Sequence, residues 1–359
     1  MKRRLAAEFF AGIGLVRMAL ERAGWAVNFA NDIDPDKYVM YRANFGGQHF
    51  FLDDVANVSV ERVPAATLAT ASFPCVDLSL AGNRTGLNGN QSAAYWKFHK
   101  LIEELGDRRP KAILLENVLG LLSSNGGNDL RSIVSSLNRL GYTCDLLVVD
   151  AVHFVPQSRP RLFVISSTSC NSSALFDSPD HEARPRQVVE FISRHADLKW
   201  SHLSLPPLPT KQRNLVDLVE RLDDGAPEWW DHKRQAHLFT QMSVTHRKLL
   251  RQLMESKRPA FATVYKRVRP AGCRAELRAD GIAGCLRTPR GGSSKQFIIQ
   301  AGRGAWRVRN MTAREYARLQ GVPDSFMITV PYNQALFGFG DAVCVPAVEW
   351  VIRNCFAAL

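Results

Sequence analysis

Along the first 165 positions, apolar residues come in short runs separated by stretches with helical spacing. Residues 5–10 predict a strand, and 14–23 a helix with Leu15, Met18, Ala19 and Arg22 at helical intervals. Further strands are predicted over 26–30, running into Asn31-Asp32, over 50–52, running into Asp53-Asp54, and over 68–73, stopped by Pro74. Residues 94–105 read as a helix, 112–115 as a buried strand, and 130–140 as an amphipathic helix closed by Gly141. Runs at 146–149 and 162–165 complete the series. Such alternation argues for a parallel sheet covered by helices on both faces.

After Ser166 the texture changes. Residues 166–178 are polar and Ser-rich, and 184–233 carry scattered prolines, Pro206-Pro207 among them, without strand–helix alternation. This predicts a separate, loop-rich, irregular small domain. Helices are expected again over 313–320 and, as the last element, 342–357.

Composition sharpens this division. A chain of 359 residues, 46% hydrophobic and 22% charged, suffices for about two domains with real cores. The net charge of +12 is unevenly spread: residues 241–310 hold 16 Lys and Arg against three Asp and Glu, while the rest carries 30 basic and 31 acidic side chains. Segregation of this kind fits a nucleic-acid footprint, a basic surface tuned for solubility being the plainer alternative. Seven cysteines show no C-x-x-C and no zinc spacing, which points to free thiols in a reducing compartment. Glu8 and Arg17 argue against a signal peptide behind Met1-Lys2-Arg3-Arg4, and no uninterrupted apolar stretch approaches the roughly 18 residues of a span. The expectation is a soluble cytoplasmic protein.

Four motifs carry candidate chemistry. Glu8-Phe9-Phe10-Ala11-Gly12-Ile13-Gly14-Leu15 joins a strand to a helix, and the next strand ends in Asp32. Glycines and a free helix N-terminus allow close approach of a ligand, and the acid can accept hydrogen bonds from ribose hydroxyls. The alternative is a tight structural turn, since Arg17 stands where a dinucleotide fingerprint has its third glycine. In Ser72-Phe73-Pro74-Cys75-Val76-Asp77-Leu78-Ser79 a cysteine stands at a predicted strand edge, as nucleophile or as core thiol. The Gly- and Asn-rich residues that follow suit a lid. Leu114-Leu115-Glu116-Asn117-Val118 ends an apolar strand in a carboxyl group, suited to proton donation near neutral pH or to a capping role. In Gln157-Ser158-Arg159-Pro160-Arg161 two arginines two apart share a face of an extended chain, a costly place without anionic or carbonyl partners.

In this order, the motifs resemble those of bacterial DNA (cytosine-5) methyltransferases. Val308-Arg309-Asn310-Met311-Thr312-Ala313-Arg314-Glu315-Tyr316-Ala317-Arg318-Leu319-Gln320-Gly321-Val322-Pro323-Asp324 and Phe339-Gly340-Asp341-Ala342-Val343 extend the likeness to the C-terminal region. The resemblance implies a Rossmann-like class I α/β fold with a mostly parallel seven-stranded sheet, helices on both faces. A catalytic domain would span 1–180 and 326–359, with a small target-recognition domain over 181–325. It implies S-adenosylmethionine as cofactor, S-adenosylhomocysteine as product, and no metal. Cys75 would be the nucleophile, Glu116 the proton donor at ring nitrogen 3 and Arg161 the partner of the ring carbonyl, with Arg159 ordering the site. Phe10, Ala11, Gly12, Gly14 and Leu15 would surround the methionine part of the cofactor, Asp32 its ribose, and Ile33, Asp54 and Val55 its adenine. Pro74, Asp341, Ala342 and Val343 would complete that site. Contacts to a flipped base and its duplex would come from Ser79, Arg84, Gln157, Thr263, Arg267, Arg287, Thr288, Arg290, Ser293 and Lys295, with residues 79–92 as lid.

The departures are Ser72 and Val76, where the family often has Gly and Gln, Ile33 in place of an aromatic, and Asp341 in place of Asn. Rival readings are a tRNA cytosine-5 methyltransferase, which typically has a second Pro where this chain has Phe73, a non-catalytic DNA-binding member of the fold, and a nicotinamide dehydrogenase. The first motif lies close to Met1, so a prokaryotic or phage modification enzyme without large regulatory extensions is expected. Its partners would be double-stranded DNA, bound as a monomer, and a companion restriction or other phage-defence complex, with no membrane.

Overall fold

The computed structural model describes residues 4–74, 93–169, 181–210, 213–269, 272–288 and 295–359. Their contacts divide the chain into two compact units. One comprises 1–150, 160–208 and 347–359, the other 151–159 and 209–346. These bounds differ from the boundaries at 180/181 and 325/326 that the resemblance implies. Helix α5 (Arg186–Arg194) buries Val188, Phe191 and Ile192 in the core of the first unit, so residues of its stretch pack there.

The first unit is built on a seven-stranded sheet in the order β3-β2-β1-β4-β5-β7-β6. Its strands are β1 (Leu5–Phe9), β2 (Ala26–Asp32), β3 (Phe50–Leu52), β4 (Leu68–Ala71), β5 (Ala112–Val118), β6 (Thr143–Asp150) and β7 (Pro160–Ser167). Strands β1 to β5 pair in parallel, while β7 runs antiparallel to both β5 and β6. Parallel strands covered on both faces need near-continuous apolar runs, as in Ala112–Val118, which is buried from end to end but for its last residue. Phe9 faces a core shared with α3 (Ala93–Glu104) and α4 (Asn128–Arg139). Its neighbour Glu8 points to the other face, where it accepts the backbone N–H of Arg17 on α1 (Leu15–Arg22).

Helix α2 (Pro35–Phe45) escaped the apolar pattern, although its start is well marked. The Asp34 carboxylate accepts from the N–H groups of Asp36 and Lys37 at 3.0 and 3.2 Å, with Pro35 in the first turn.

The second unit is less irregular than composition suggests. A four-stranded antiparallel sheet, β11-β10-β8-β9, is formed by β8 (Ala260–Arg269), β9 (Gly272–Arg278), β10 (Gln296–Gly302) and β11 (Ala305–Asn310). Ala262, Val264, Ala275, Leu277, Phe297 and Ile299 share a core with Leu238 of α6 (His232–Gln241) and Leu250 of α7 (Val244–Met254). Alternate positions carry the charge, which is why the strands read as a basic segment. Helix α8 (Ala313–Leu319) opens with a capping box between Thr312 and Glu315. The last helix expected over 342–357 is α10 (Val345–Cys355), and a further helix, α9 (Tyr332–Asp341), precedes it. By length and composition Tyr332–Cys355 passes for a membrane span, with a mean hydropathy of 1.6, but it breaks at 342–344 and is 67% buried.

Candidate active site

In the first unit the candidate residues gather at one edge of the sheet. The glycine turn follows β1, Asp32 ends β2, Asp54 follows β3, Phe73-Pro74 follow β4, and Glu116 lies near the end of β5. Because β7 is reversed, its first residues reach the same edge, and Arg161 pairs with Val118. Strand order changes direction between β1 and β4, where open α/β sheets leave a crevice for ligands.

The turn after β1 alternates left-handed residues: Phe10, Gly12 and Gly14 have φ of 56°, 56° and 84°. Gly14 is demanded by packing as well as by φ, since a Cβ there would stand 2.9 Å from the Tyr41 ring and closer to Phe45. Gly12 has open space, with only the Lys37 side chain 4.0 Å from such a Cβ. Asp32 locks the turn: Oδ2 accepts the Gly12 N–H at 2.7 Å and Oδ1 the Asp34 N–H at 2.9 Å. Burial pushes the Asp32 carboxyl up from its ordinary value, against the pull of Lys37 and the two N–H groups. Each carboxylate oxygen keeps a lone pair for a ligand hydroxyl. Beside it Ile33 is 64% exposed, whereas Ala11, Leu15 and Val55 are buried, so the latter can offer a ligand little beyond backbone.

Asp54 caps a short turn through Ala56 N–H and binds the Lys97 ammonium of α3 at 2.7 Å. Burial pushes its carboxyl up, but these two partners outweigh that and leave it below the ordinary value.

Glu8 is a residue the motif reading passed over. It is 1% exposed, Oε2 has no hydrogen-bond partner, and burial pushes its carboxyl up to about 8. An acid inside an otherwise apolar strand was the available signal.

At the end of β5 the Glu116 carboxylate meets the Arg161 guanidinium, Nε to Oε1, at 3.1 Å. Their side chains are 11% and 15% exposed, at the sheet edge rather than deep in the core. Asn117 donates to the Phe73 carbonyl at 3.2 Å and accepts Val118 N–H, which ties the chain just before Pro74 to the strand that carries Glu116. Pro74 itself is exposed. Cys75, Ser79, Arg84, Arg290 and Ser293, with the expected lid at 79–92, lie outside the described residues.

The second unit assigns other work to several expected ligand contacts. Arg159 does not share the surroundings of Arg161. It is 2% exposed and donates to the carbonyls of Leu286, Gly340 and Ala342 at 2.6, 3.2 and 2.6 Å. Gln157, expected on DNA, is fully buried: its amide donates to Leu319 O and accepts Leu286 N–H. Thr263 is buried in β8, so it has no surface to offer DNA. Arg267 and Arg287 are exposed, and Lys295 donates to Asn333 at 3.0 Å. Thr288 donates to Asp341, whose neighbours Ala342 and Val343 lie at the end of α9. The basic stretch is also less free than its count implies. Arg309 is buried in a two-pronged pair with Glu315, and Arg278 and Arg307 pair with Asp280 and Asp224. Among the described residues no group of three or more His, Cys, Asp or Glu is arranged to hold a metal ion.

Comparisons with known proteins agree with this layout. The family model described as C-5 cytosine-specific DNA methylase matches residues 6–357. The chain is 27% identical over 349 residues to the Type II methyltransferase M.NgoBI of Neisseria gonorrhoeae, covering 97% of this chain and 92% of that protein. It is 24% identical to M.HhaI of Haemophilus parahaemolyticus, covering 98% and 94%. Among solved structures, the S. pombe Dnmt2 methyltransferase has the same fold, with a TM-score of 0.65 at 18% identity over 99% of both chains.

Proposed function

Since the chain belongs to the C-5 cytosine-specific DNA methylase family, we propose that it is a DNA (cytosine-5)-methyltransferase that modifies a flipped-out cytosine in a short duplex site. The observation that carries the reading is the Glu116–Arg161 pair, 3.1 Å apart at the sheet edge, tied through Asn117 to the residues leading into Cys75. Its relatives bear the name Type II methyltransferase, which supports a role as the modification arm of a restriction–modification or other phage-defence system.

Carbon 5 of cytosine is a weak nucleophile, so the ring has to be activated. The Cys75 thiolate adds to carbon 6, and Glu116 delivers a proton to nitrogen 3, leaving an electron-rich enamine. Arg161 steadies the ring carbonyl oxygen as charge develops there. S-adenosylmethionine, when bound, would supply the electrophilic S-methyl group to carbon 5, its S–CH3 bond giving way so that S-adenosylhomocysteine is the leaving group. A base then removes the carbon 5 proton, the carbon–sulfur bond breaks, and Cys75 leaves as thiolate while nitrogen 3 returns its proton to Glu116. The atom that reacts is out of reach in a stacked duplex, hence the extruded base.

The residues present fit the cofactor. Asp32 keeps acceptor capacity for ribose hydroxyls, exposed Ile33 offers an apolar face for adenine, and Asp54 an acceptor for its edge. Gly12 leaves room beside the chain. By resemblance Phe10 and Pro74 complete the site.

Tritiated S-adenosylmethionine offered with unmethylated genomic DNA, and in parallel with bulk tRNA, tests the reading. The expected product is 5-methylcytosine at one recurring short sequence in DNA. Cys75→Ala should abolish transfer and keep DNA binding. Label in tRNA alone overturns the DNA assignment, and full activity of Cys75→Ala overturns the nucleophile.

A further inference from the structure

Helix α3 carries two lysines that are handled differently. Lys100 pairs with Glu104 one turn along the same helix, at 3.6 Å. Lys97 has no such choice. The residues three and four positions away, Ala93, Ala94, Lys100 and Leu101, offer no carboxylate, and Lys100 repels it. Its ammonium crosses instead to the turn after β3, where Nζ lies 2.7 Å from Oδ2 of Asp54. Tyr95, Phe98, Leu101 and Ile102 seat α3 in the core of the first unit, so the lysine is delivered from a fixed helix.

The other end of the pair is braced as firmly. The Asn31 amide, on the strand that ends in Asp32, donates to the carbonyls of Phe51 and Asp53 at 2.9 and 2.8 Å. Asp53 N–H donates to the Asp32 carbonyl at 3.1 Å, and the Asp53 carboxylate accepts the Asp54 N–H and the Asn57 amide at 2.7 and 2.8 Å. The Asp54 side chain is then the adjustable part of the turn, and both its oxygens are tethered, Oδ1 by the Ala56 N–H and Oδ2 by Lys97. The two paired side chains are 40% and 31% exposed, so water screens them and the pair adds little to the stability of the fold. What it does is orient an ionised carboxylate. Each oxygen has one donor and keeps a lone pair for a ligand.

Resting on the cofactor reading above, we infer that Lys97 is a positioning residue for S-adenosylmethionine, holding the Asp54 carboxylate in the orientation that receives the 6-amino group of adenine. Without Lys97 the carboxylate keeps only the Ala56 N–H and is free to turn about it. An acceptor already in place binds more tightly than one the ligand must order. Ile33 offers the ring an aliphatic side chain, so the edge contact carries a larger share of adenine recognition. Lys97 acts through Asp54 and not by touching the cofactor.

Calorimetric affinity for S-adenosylhomocysteine, without DNA, tests this in wild type, Lys97→Met, Lys97→Arg, Asp54→Asn and the variant carrying both Lys97→Met and Asp54→Asn. Lys97→Met should bind about tenfold more weakly, on the order of one well-placed hydrogen bond, and Lys97→Arg should recover most of the loss. Melting temperatures should match wild type, because the pair is exposed. In the Asp54→Asn background Lys97→Met should have no further effect. In methyl transfer Lys97→Met should raise the KM for S-adenosylmethionine about tenfold and leave kcat unchanged. Unchanged affinity in Lys97→Met would make the pair a surface contact only and overturn the inference. An equal loss in both backgrounds would mean that Lys97 acts by another route than Asp54, and overturns it too. A wild type without affinity for S-adenosylhomocysteine removes the cofactor reading and this inference with it. A wild type that binds, with an Asp54→Asn variant that binds equally well, removes the inference alone.

Discussion

Arg159 and Arg161 are separated by one proline, yet they belong to different regions and spend their charge differently. Arg159 gives its guanidinium to backbone carbonyls of Leu286, Gly340 and Ala342, on two segments distant from it in sequence. Arg161 meets the Glu116 carboxylate on the neighbouring strand of the large sheet. Carbonyls hold a guanidinium without cancelling its charge, so Arg159 acts as a buried strut. Arg161 sits against a titratable partner at a sheet edge, where an incoming ring can compete for it. Spacing along a strand foretells direction, and only the surroundings decide whether a buried charge serves architecture or chemistry.

The contrast can be broken at either end. Arg159→Met should be the most damaging change. The carbonyls of Leu286 and Gly340 lose the Arg159 donor at about 1–3 kcal/mol each, while Ala342 keeps the Gln320 amide, so a loss on the order of 2–5 kcal/mol is expected in urea unfolding. An unshifted midpoint would mean that Arg159 is not a strut. Arg161→Ala should do the reverse, lowering kcat about 10²–10³-fold with little change in melting temperature. A variant that transfers methyl groups normally would return Arg161 to the scaffold.

Glu8 sharpens the comparison, because its charge is handled by a proton rather than by a partner. Its carboxyl is raised by burial from 4.5 to about 8 in the folded chain. The unfolded chain therefore ionises first, and wild type loses stability as pH climbs between those values. Glu8→Gln cannot ionise. It should match wild type near the lower value and exceed it near the upper one, by roughly 1–3 kcal/mol after allowance for relaxation around the site. An equal difference at both ends of the range would show that Glu8 does not titrate with folding.

The large sheet was legible because its strands are buried on both faces and therefore read as unbroken apolar runs. Asp32 and Glu116 stood out as acids ending such runs, and Arg161 as a cation entering one. The small sheet was hidden. In β8 and β9 one face is apolar and the other is charged, so the eye follows the arginines rather than the period of two. Helix α2 was missed because its apolar spacing is weak, even though Asp34-Pro35-Asp36 announces its start. Gln157 and Thr263 were assigned to DNA by family position alone, and burial places both in the interior. Glu8 was overlooked because an acid one residue inside a strand looks like an exception to the pattern, when the exception was the message.

The nine residues 151–159 fold with 209–346, although the long strands of the other unit precede and follow them directly. Anyone grafting a different recognition module onto this scaffold would naturally cut near 209 and 346. That exchange would leave Gln157 and Arg159 behind, facing a foreign module without the carbonyls of Leu286, Leu319, Gly340 and Ala342 that they were built to hold. The transferable part is thus two pieces of chain, and the short one has to travel with the long one.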